Sequence, residues 1–279
     1  MPMNHRLLVP RKTPGLLDLV PGAAAAYSLR SLSNSYAGPV VTVRRSSDNA
    51  EEDFTASEVA DGTLAAFCGA GDGFVKQWWD QSGNARHAVA AADANEPQIV
   101  DSGVVVREEG KPAIDFDGTD DSLSADLSDA NQQYSIYFVY THTASFLANT
   151  RILSINGTLG ATTGAELGAQ FSGNNLYLAQ QAVEWGSGSL ALQVGKQYLL
   201  YFSVGDGSTP LNLYADGVPL PSATSSASPA GSGSLLNIFA RGDGANNAAG
   251  YAQELVIYPS DLTAQRELIE GNIAWGYSV

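Results

Sequence analysis

After residue 72, apolar runs rich in β-branched and aromatic residues are separated by polar, turn-forming residues, a pattern that is typical of β-strands. The runs are short, and Gly, Asn, Asp or Ser residues separate them. Together with one earlier run, they predict strands at Val40–Arg44, Phe74–Trp79, Val104–Arg107, Ala113–Phe116, Ser135–Thr141, Arg151–Ile155, Ala165–Phe171, Asn175–Ala179, Tyr198–Val204, Leu211–Ala215, Leu235–Ala240 and Tyr251–Tyr258. The pattern indicates a mostly β protein.

Turn residues support this interpretation. Six Asp-Gly pairs and one Asn-Gly pair interrupt the strands, and such pairs adopt the positive φ angles that tight hairpin turns require. The clearest hairpin is Leu211–Leu220, where strict alternation runs directly into Asp216-Gly217.

Helical patterns are confined to the two ends of the chain. Ala23–Leu32 is rich in helix formers and predicts a short helix, and a second one is predicted over Thr63–Cys68. Near the C-terminus, Leu262 begins an amphipathic helix in which apolar residues share one face. Residues 1–22 contain four prolines and no periodic pattern. We therefore predict an extended arm over residues 1–22 and a single domain over residues 23–279.

The arm is basic, whereas the whole chain has a formal net charge of −15 and a pI near 4.4. An acidic partner would suit such an arm, so we predict that it anchors the protein in an assembly, with homo-oligomer formation. A frayed, charged terminus is the alternative. The predicted assembly residues are Arg6, Leu7, Leu8, Arg11 and Lys12.

Several partner classes and compartments are disfavoured. The negative charge would repel phosphate backbones, so no nucleic acid is expected. Cys68 is the single cysteine, which excludes an intramolecular disulfide. The sequence shows neither a signal-peptide core nor an apolar run of about 18 residues, so membrane insertion is not expected.

Two segments carry a more specific pattern. Ala26–Pro39 leads into Val43–Asp48, and Phe67–Phe74 leads into Trp79–Asn84, which reads Trp-Asp-Gln-Ser-Gly-Asn. These segments resemble the N-terminal half of the catalytic domain of the arabinofuranosidase B family. The resemblance implies an all-β, concanavalin-A-like jelly-roll sandwich with short N-terminal helices and a C-terminal helix.

The same motifs are also similar to those of bacteriophage virion proteins with a concanavalin-A-like or LamG-like domain. This second resemblance extends over most of the chain and implies a location on the virion surface. In the arabinofuranosidase family a Cys–Cys pair precedes the Asp-Gln-Ser-Gly motif. Cys68 matches the first of these cysteines, but Gly73 occupies the second position, so that disulfide is missing.

Five residues are candidates for ligand binding. Arg44 and Asp48 could provide directional hydrogen bonds to a sugar, although a loop held by an Arg–carboxylate pair is favoured. Trp79 and Trp185 could stack on a sugar, and Asp80 follows Trp79 in a segment that also fits a capped turn.

Catalytic and metal-binding groups are harder to find. A glycosidase needs two carboxylates, and the arabinofuranosidase family places its own in its later half. Glu166, Glu184 and Asp243 are nominal candidates, for which surface or hairpin roles are favoured. The acidic turn Asp117–Asp121 lacks the spacing of an EF-hand. Calcium could bind there, but a solvated hairpin is favoured, so no cofactor is predicted.

Three functions remain open. The leading hypothesis is a non-enzymatic phage virion structural or display protein, a capsid decoration or tail appendage anchored to other virion proteins, with a cell-surface glycan as candidate ligand. A glycoside hydrolase of the arabinofuranosidase type is the first alternative, and a ligand-free cement protein is the second. The missing cysteines and the absent secretion signal weigh against an enzyme, so we expect no glycosidase activity.

Overall fold

The computed structural model describes residues 13–127, 134–145, 150–156, 166–172, 175–180, 183–204, 212–220, 235–240 and 247–277. Helices in this part of the chain are α1 (Leu16–Leu19), α2 (Ala56–Asp61), α3 (Thr63–Cys68) and α4 (Arg266–Tyr277), with 3-10 turns at Asp93–Asn95 and Thr263–Gln265. The strands are β1 (Ala25–Ser28), β2 (Val41–Arg45), β3 (Glu51–Phe54), β4 (Gly73–Trp78), β5 (Ala88–Val89), β6 (Gln98–Asp101), β7 (Val104–Val105), β8 (Arg107–Glu108), β9 (Lys111–Pro112), β10 (Ile114–Asp117), β11 (Leu123–Asp126), β12 (Tyr134–His142), β13 (Arg151–Asn156), β14 (Glu166–Ser172), β15 (Asn175–Gln180), β16 (Val183–Ala191), β17 (Gln197–Val204), β18 (Asn212–Ala215), β19 (Val218–Pro219), β20 (Leu235–Ile238) and β21 (Ala249–Tyr258).

The strands form an all-β sandwich, which confirms the predicted fold class. The first sheet is centred on β21, which pairs with β12 along one edge and with β1 and β10 along the other. Strands β17, β18 and β19 continue it beyond β12. The second sheet runs from β3 through β2, β4, β5, β11, β20 and β13 to β16, and β6 joins the two sheets by pairing with both β4 and β10.

The main core lies between the two sheets, and a second core lies outside the first sheet. Alternate residues of β12 divide between them: Ile136 and Phe138 face the main core, whereas Tyr137 and Val139 face outward. Helices α1 and α4 cover the outward residues and seal the second core. Tyr137, for example, is fully buried although it lies on the outer face.

The Ala-rich segment is a strand rather than the predicted helix. Residues Ala25–Ser28 form β1, and all four are buried because β1 is covered on both faces and pairs antiparallel with β21. Helix propensity is a weak preference that burial and sheet pairing override. The predicted helix at Thr63–Cys68 and the C-terminal helix are both present.

The predicted arm contains structure near its end. Residues Leu16–Leu19 form α1, and Leu16 and Val20 are buried in the second core, so the packed body begins before the predicted boundary at residue 22. The five predicted assembly residues, Arg6, Leu7, Leu8, Arg11 and Lys12, lie outside the described residues. Their role, and the homo-oligomer, stay predictions. Among the described helices, none has the length and apolar character needed to cross a membrane.

Candidate active site at the acidic turn

The candidate site is built on the turn that joins β10 to β11. The sequence Asp117-Gly118-Thr119-Asp120-Asp121 places three carboxyl groups in five residues. Gly118 has a φ of 76° and packs against Ala249 of β21, where a Cβ atom would lie 2.8 Å from the Ala249 Cβ. The glycine therefore permits a tight turn against the sheet.

The three carboxyl groups converge. One oxygen from each of Asp117, Asp120 and Asp121 lies within 4.8 Å of the others. Asp117 and Asp120 are exposed, whereas Asp121 is 8% exposed. Three carboxylates this close together repel one another, which favours the protonated form of one of them.

Asp121 has the most strongly altered acidity in the turn. Burial, together with the neighbouring carboxylates of Asp117, Asp120 and Asp115, raises the pKa of Asp121 to about 7, although one hydrogen bond from the Asp117 amide acts in the opposite direction. That amide donates to Asp121 Oδ2 at 2.9 Å. A carboxyl group with such a pKa retains a proton near neutral pH and is able to act as a general acid.

The first sheet and strand β13 hold the turn in place. Asn247, just before β21, donates from Nδ2 to the backbone carbonyl of Asp121 at 3.0 Å. The backbone of Asn247 also forms a bridge to Arg151, the first residue of β13. Both side chains are at least nine-tenths buried. The turn, β13 and β21 therefore meet at one end of the sandwich, which brings residues from three separate parts of the sequence together.

Arg44 and Asp48 do not lie in this site. Arg44 donates from Nε to the buried Glu96 carboxylate at 2.7 Å, and its guanidinium lies 5.1 Å from the centre of the Phe74 ring. Asp48 accepts two hydrogen bonds from the neighbouring Arg45, at 2.8 and 2.7 Å, which lower the pKa of Asp48 to about 2. Both residues thus have intramolecular partners in the β2 region.

Trp79 and Asp80 follow β4. The Trp79 indole donates to Thr42 Oγ1 at 2.9 Å, and its ring lies 4.4 Å from the His87 ring, so the side chain is half-buried. The buried Asp80 carboxylate accepts hydrogen bonds from the backbone amides of Ala26, Ser82 and Arg86 and from the Ser82 hydroxyl. Asp80 therefore fixes the Asp-Gln-Ser-Gly loop against β1. Ligand binding by Trp79 and Asp80 stays a prediction.

The other candidates lie partly or wholly outside the described residues. Trp185 and Glu184 belong to β16 and Glu166 begins β14, but the side chains of all three are outside the described part. Asp243 lies between two described segments and is itself outside them. Sequence patterns favoured a solvated hairpin over a calcium site at the acidic turn and did not single out Asp121, because its contact with Asn247 joins residues 126 positions apart.

Comparison with known proteins identifies a family match for part of the chain. Residues 18–114, less than half of the chain, match a family model described as Alpha-L-arabinofuranosidase B, catalytic. This match confirms the resemblance that the N-terminal motifs indicated. No curated protein sequence matches the chain.

Solved structures resemble nearly the whole chain. A GH54 α-L-arabinofuranosidase soaked with a cyclic sulfate inhibitor is 17% identical with a TM-score of 0.68, and the similarity covers 91% of this chain and 63% of that one. An arabinofuranosidase complexed with arabinofuranosyl-α-1,2-xylobiose is also 17% identical over the same shares, with a TM-score of 0.64. A Trypanosoma rangeli sialidase with sialic acid is 15% identical with a TM-score of 0.54, covering 72% of this chain and 31% of that one.

These similarities establish the fold, and this chain spans less than two thirds of the length of those arabinofuranosidases. They also contradict the leading hypothesis from the sequence. The family model and the structural neighbours are glycoside hydrolases, so the expectation of a non-enzymatic virion protein, whether capsid decoration or tail appendage, is wrong. The match of residues 18–114 to a catalytic family model likewise contradicts the expectation that the protein is not an enzyme.

Proposed function

We propose that this protein is a glycoside hydrolase that removes α-L-arabinofuranosyl groups from a glycan. The observation that carries the proposal is the match of residues 18–114 to the catalytic family model. The similarity of 91% of the chain to arabinofuranosidase structures supports it over a longer span. The acidic turn provides suitable chemistry, because glycoside hydrolysis requires a group that protonates the departing oxygen.

Within the described residues, Asp121 is the group best placed to hold that proton. Its carboxyl group is buried, lies among other carboxylates and is positioned by Asn247 and by the Asp117 amide. Protonation of the glycosidic oxygen by Asp121 would let the C–O bond break as the sugar ring develops positive charge. A nearby carboxylate would stabilise that charge or activate water.

Substrate hydrolysis by wild-type and variant proteins tests the proposal. We expect the wild type to release 4-nitrophenol from 4-nitrophenyl α-L-arabinofuranoside and arabinose from arabinofuranosyl-α-1,2-xylobiose. Replacing Asp121 by Asn should lower kcat by about 100-fold or more, the usual contribution of a general acid. Asp126→Asn, which removes an exposed carboxylate at the end of β11, is the matched control and should retain full activity.

The pH dependence provides a second readout. Because Asp121 must be protonated to act, and its pKa is raised to about 7, kcat/KM should fall as the pH rises above about 7. Asp243→Asn belongs in the same series, since Asp243 precedes Asn247 by four residues. If activity disappears in Asp243→Asn but persists in Asp121→Asn, the general acid is Asp243 and not Asp121. No release from either substrate would reject the hydrolase.

A further inference from the structure

A continuous row of polar side chains crosses the outer face of the first sheet, beyond the area that α1 and α4 cover. Cross-strand pairing places the residues side by side on five adjacent strands: Gln197 of β17, Thr141 of β12, Tyr251 of β21, Asp115 of β10 and Gln98 of β6. Adjacent strands lie about 4.8 Å apart, so the row is about 19 Å long. We call it the outer polar row.

One end of the row is accessible and the other is covered. Gln98, Asp115 and Tyr251 are partly exposed, whereas Thr141 and Gln197 are buried. The β8–β9 hairpin forms the boundary between them. The Thr141 hydroxyl donates to Glu108 Oε1 at 2.8 Å.

A central glutamine fixes that hairpin to the sheet. Gln253 Nε2 lies within hydrogen-bonding distance of three hairpin carbonyls, those of Glu108 at 3.1 Å, Lys111 at 3.3 Å and Pro112 at 3.2 Å. Gln253 Oε1 in turn accepts a hydrogen bond from Gln197 Nε2. These hydrogen bonds fix the β8–β9 hairpin in position beside the accessible end of the row.

The row contains hydrogen-bond acceptors that lack donors. Gln197 Oε1 is buried without a partner, and within the described part of the chain the Asp115 carboxylate has neither a hydrogen bond nor an ion pair. Burial raises the pKa of Asp115 to about 6, with contributions from the carboxylates of Asp117 and Asp101. Of these two acceptors only Asp115 is partly exposed and can take a donor from a ligand, whereas Gln197 Oε1 lies at the covered end of the row.

We propose that the outer polar row binds a neutral glycan, with Asp115 and Tyr251 as its principal contacts. Sugar hydroxyls would supply the donors that Asp115 lacks, the Gln98 amide would add further hydrogen bonds, and the Tyr251 ring would pack on the apolar face of a sugar.

Charge selects the class of ligand. Asp101, Asp115, Asp117 and Glu108 surround the accessible end, and the chain carries a net charge of −15. An anionic polymer would be repelled by this surface, whereas a neutral sugar chain would not. The row also lies close to the acidic turn, because Asp115 and Asp117 belong to the same strand. It is thus placed to hold an extension of a glycan whose other part occupies the candidate active site.

A sugar chain that carries no arabinose cannot be a substrate of the proposed arabinofuranosidase. Its binding therefore tests the outer polar row independently of hydrolysis. The choice of a xylose backbone rests on the proposed function, so the probes are xylohexaose and, in parallel, cellohexaose, titrated calorimetrically into the full chain. We expect at least one probe to bind with a Kd on the order of 0.1–1 mM, typical of a shallow site.

Variants locate the site. Tyr251→Ala and Asp115→Asn should each weaken binding by about tenfold, while Asp126→Asn should bind like the wild type. Thermal melting checks that the variants fold, and Gln98→Ala replaces Tyr251→Ala if that protein is unstable. Failure of both probes to bind, or equal affinity in the wild type, Asp115→Asn and Gln98→Ala, would overturn the proposal. Absence of arabinofuranoside hydrolysis would reject the proposed enzyme function, but the calorimetric titrations would still test glycan binding by the row.

Discussion

Three aspartates illustrate how the surroundings of one residue type determine its chemistry. The exposed Asp48 accepts hydrogen bonds from Arg45, which lower its pKa to about 2. Burial among other carboxylates raises the pKa of Asp121 to about 7 and that of Asp115 to about 6. Since Asp48 lies beside Arg45, its pairing is visible in the sequence. The burial of Asp115 and Asp121 arises only when distant strands pack together, so the sequence could not distinguish these residues from surface acids.

Gly73 provides a test of the missing disulfide. A Cβ atom at this position would lie 2.7 Å from Cys68 Sγ, close to the separation of about 3 Å between these atoms across a disulfide bond. We expect Gly73→Cys to form a disulfide when refolded with oxidised glutathione. The bond closes a short loop, and chain entropy predicts stabilisation of about 2 kcal/mol, reduced by crowding against Val43 at 3.0 Å and Val100 at 3.2 Å.

Gly73→Ala is the matched control for that experiment. It introduces the same Cβ without a bond, so contact with the sulfur and the two valines should destabilise the protein by about 1–3 kcal/mol. Denaturant melts with and without reductant separate the two effects, because reduced Gly73→Cys should behave like the alanine variant. A thiol titration that finds two free thiols in oxidised Gly73→Cys would disprove the predicted proximity.

At the scale of the element, local patterns predicted most strands but not every element. Runs of β-branched and aromatic residues located β12, β17 and β21, each of which is buried between the two hydrophobic cores. The Ala-rich β1 was misassigned as a helix, since alanine has a high helix propensity and the pairing of β1 with the distant β21 is not visible in the sequence. Helix α2 was missed, although Thr55 and Glu58 form a capping box that the sequence displays.

The candidate site was less predictable than the strands. The residues of the outer polar row are far apart in the sequence, from position 98 to position 251. They come together only because of the order of the strands in the sheet. A single sequence contains no direct information about that order. The acidic turn was visible as a local motif, but its partner Asn247 was not.

The hairpin between β18 and β19 tests a turn that was predicted from sequence. Asp216 and Gly217 have φ angles of 51° and 73°, the pattern of a type I′ turn. A Cβ at Gly217 would meet only Glu270 at 3.8 Å and Arg266 at 3.9 Å, so space is sufficient and the backbone sets the cost. Gly217→Val should destabilise the protein by about 1–2 kcal/mol, measured by denaturant melts.

Asparagine is the appropriate comparison at that position. Asn tolerates the left-handed region better than a β-branched residue, so Gly217→Asn should cost clearly less than Gly217→Val. Equal melting midpoints for the two variants would show that the turn has another conformation.

At the scale of the whole molecule, a buried ion pair connects the two ends of the chain. Arg30 follows β1, and its guanidinium donates to both oxygens of the fully buried Glu254 in β21, at 2.7 and 2.9 Å. The same guanidinium donates to Asn272 of α4 at 3.0 Å, and Ser28 Oγ donates to Glu254 at 2.9 Å. Strand β1, strand β21 and helix α4 therefore share one polar junction.

Replacing Glu254 by Gln should destabilise the whole sandwich. The change removes the charge that compensates Arg30, and breaking one partner of a buried pair typically costs about 3–5 kcal/mol. Arg30 is 26% exposed, so water screens part of its charge and we expect the lower end of that range. Asp48→Asn is the matched control, because it breaks the exposed pair with Arg45 and should leave the free energy of unfolding nearly unchanged. Denaturant melts at pH 7 compare the two variants, and equal losses would mean that Glu254 does not hold the junction together. A separate early loss of the helical circular dichroism signal in Glu254→Gln would show that α4 detaches before the sheets unfold, whereas one cooperative transition is expected if the junction belongs to a single folding unit.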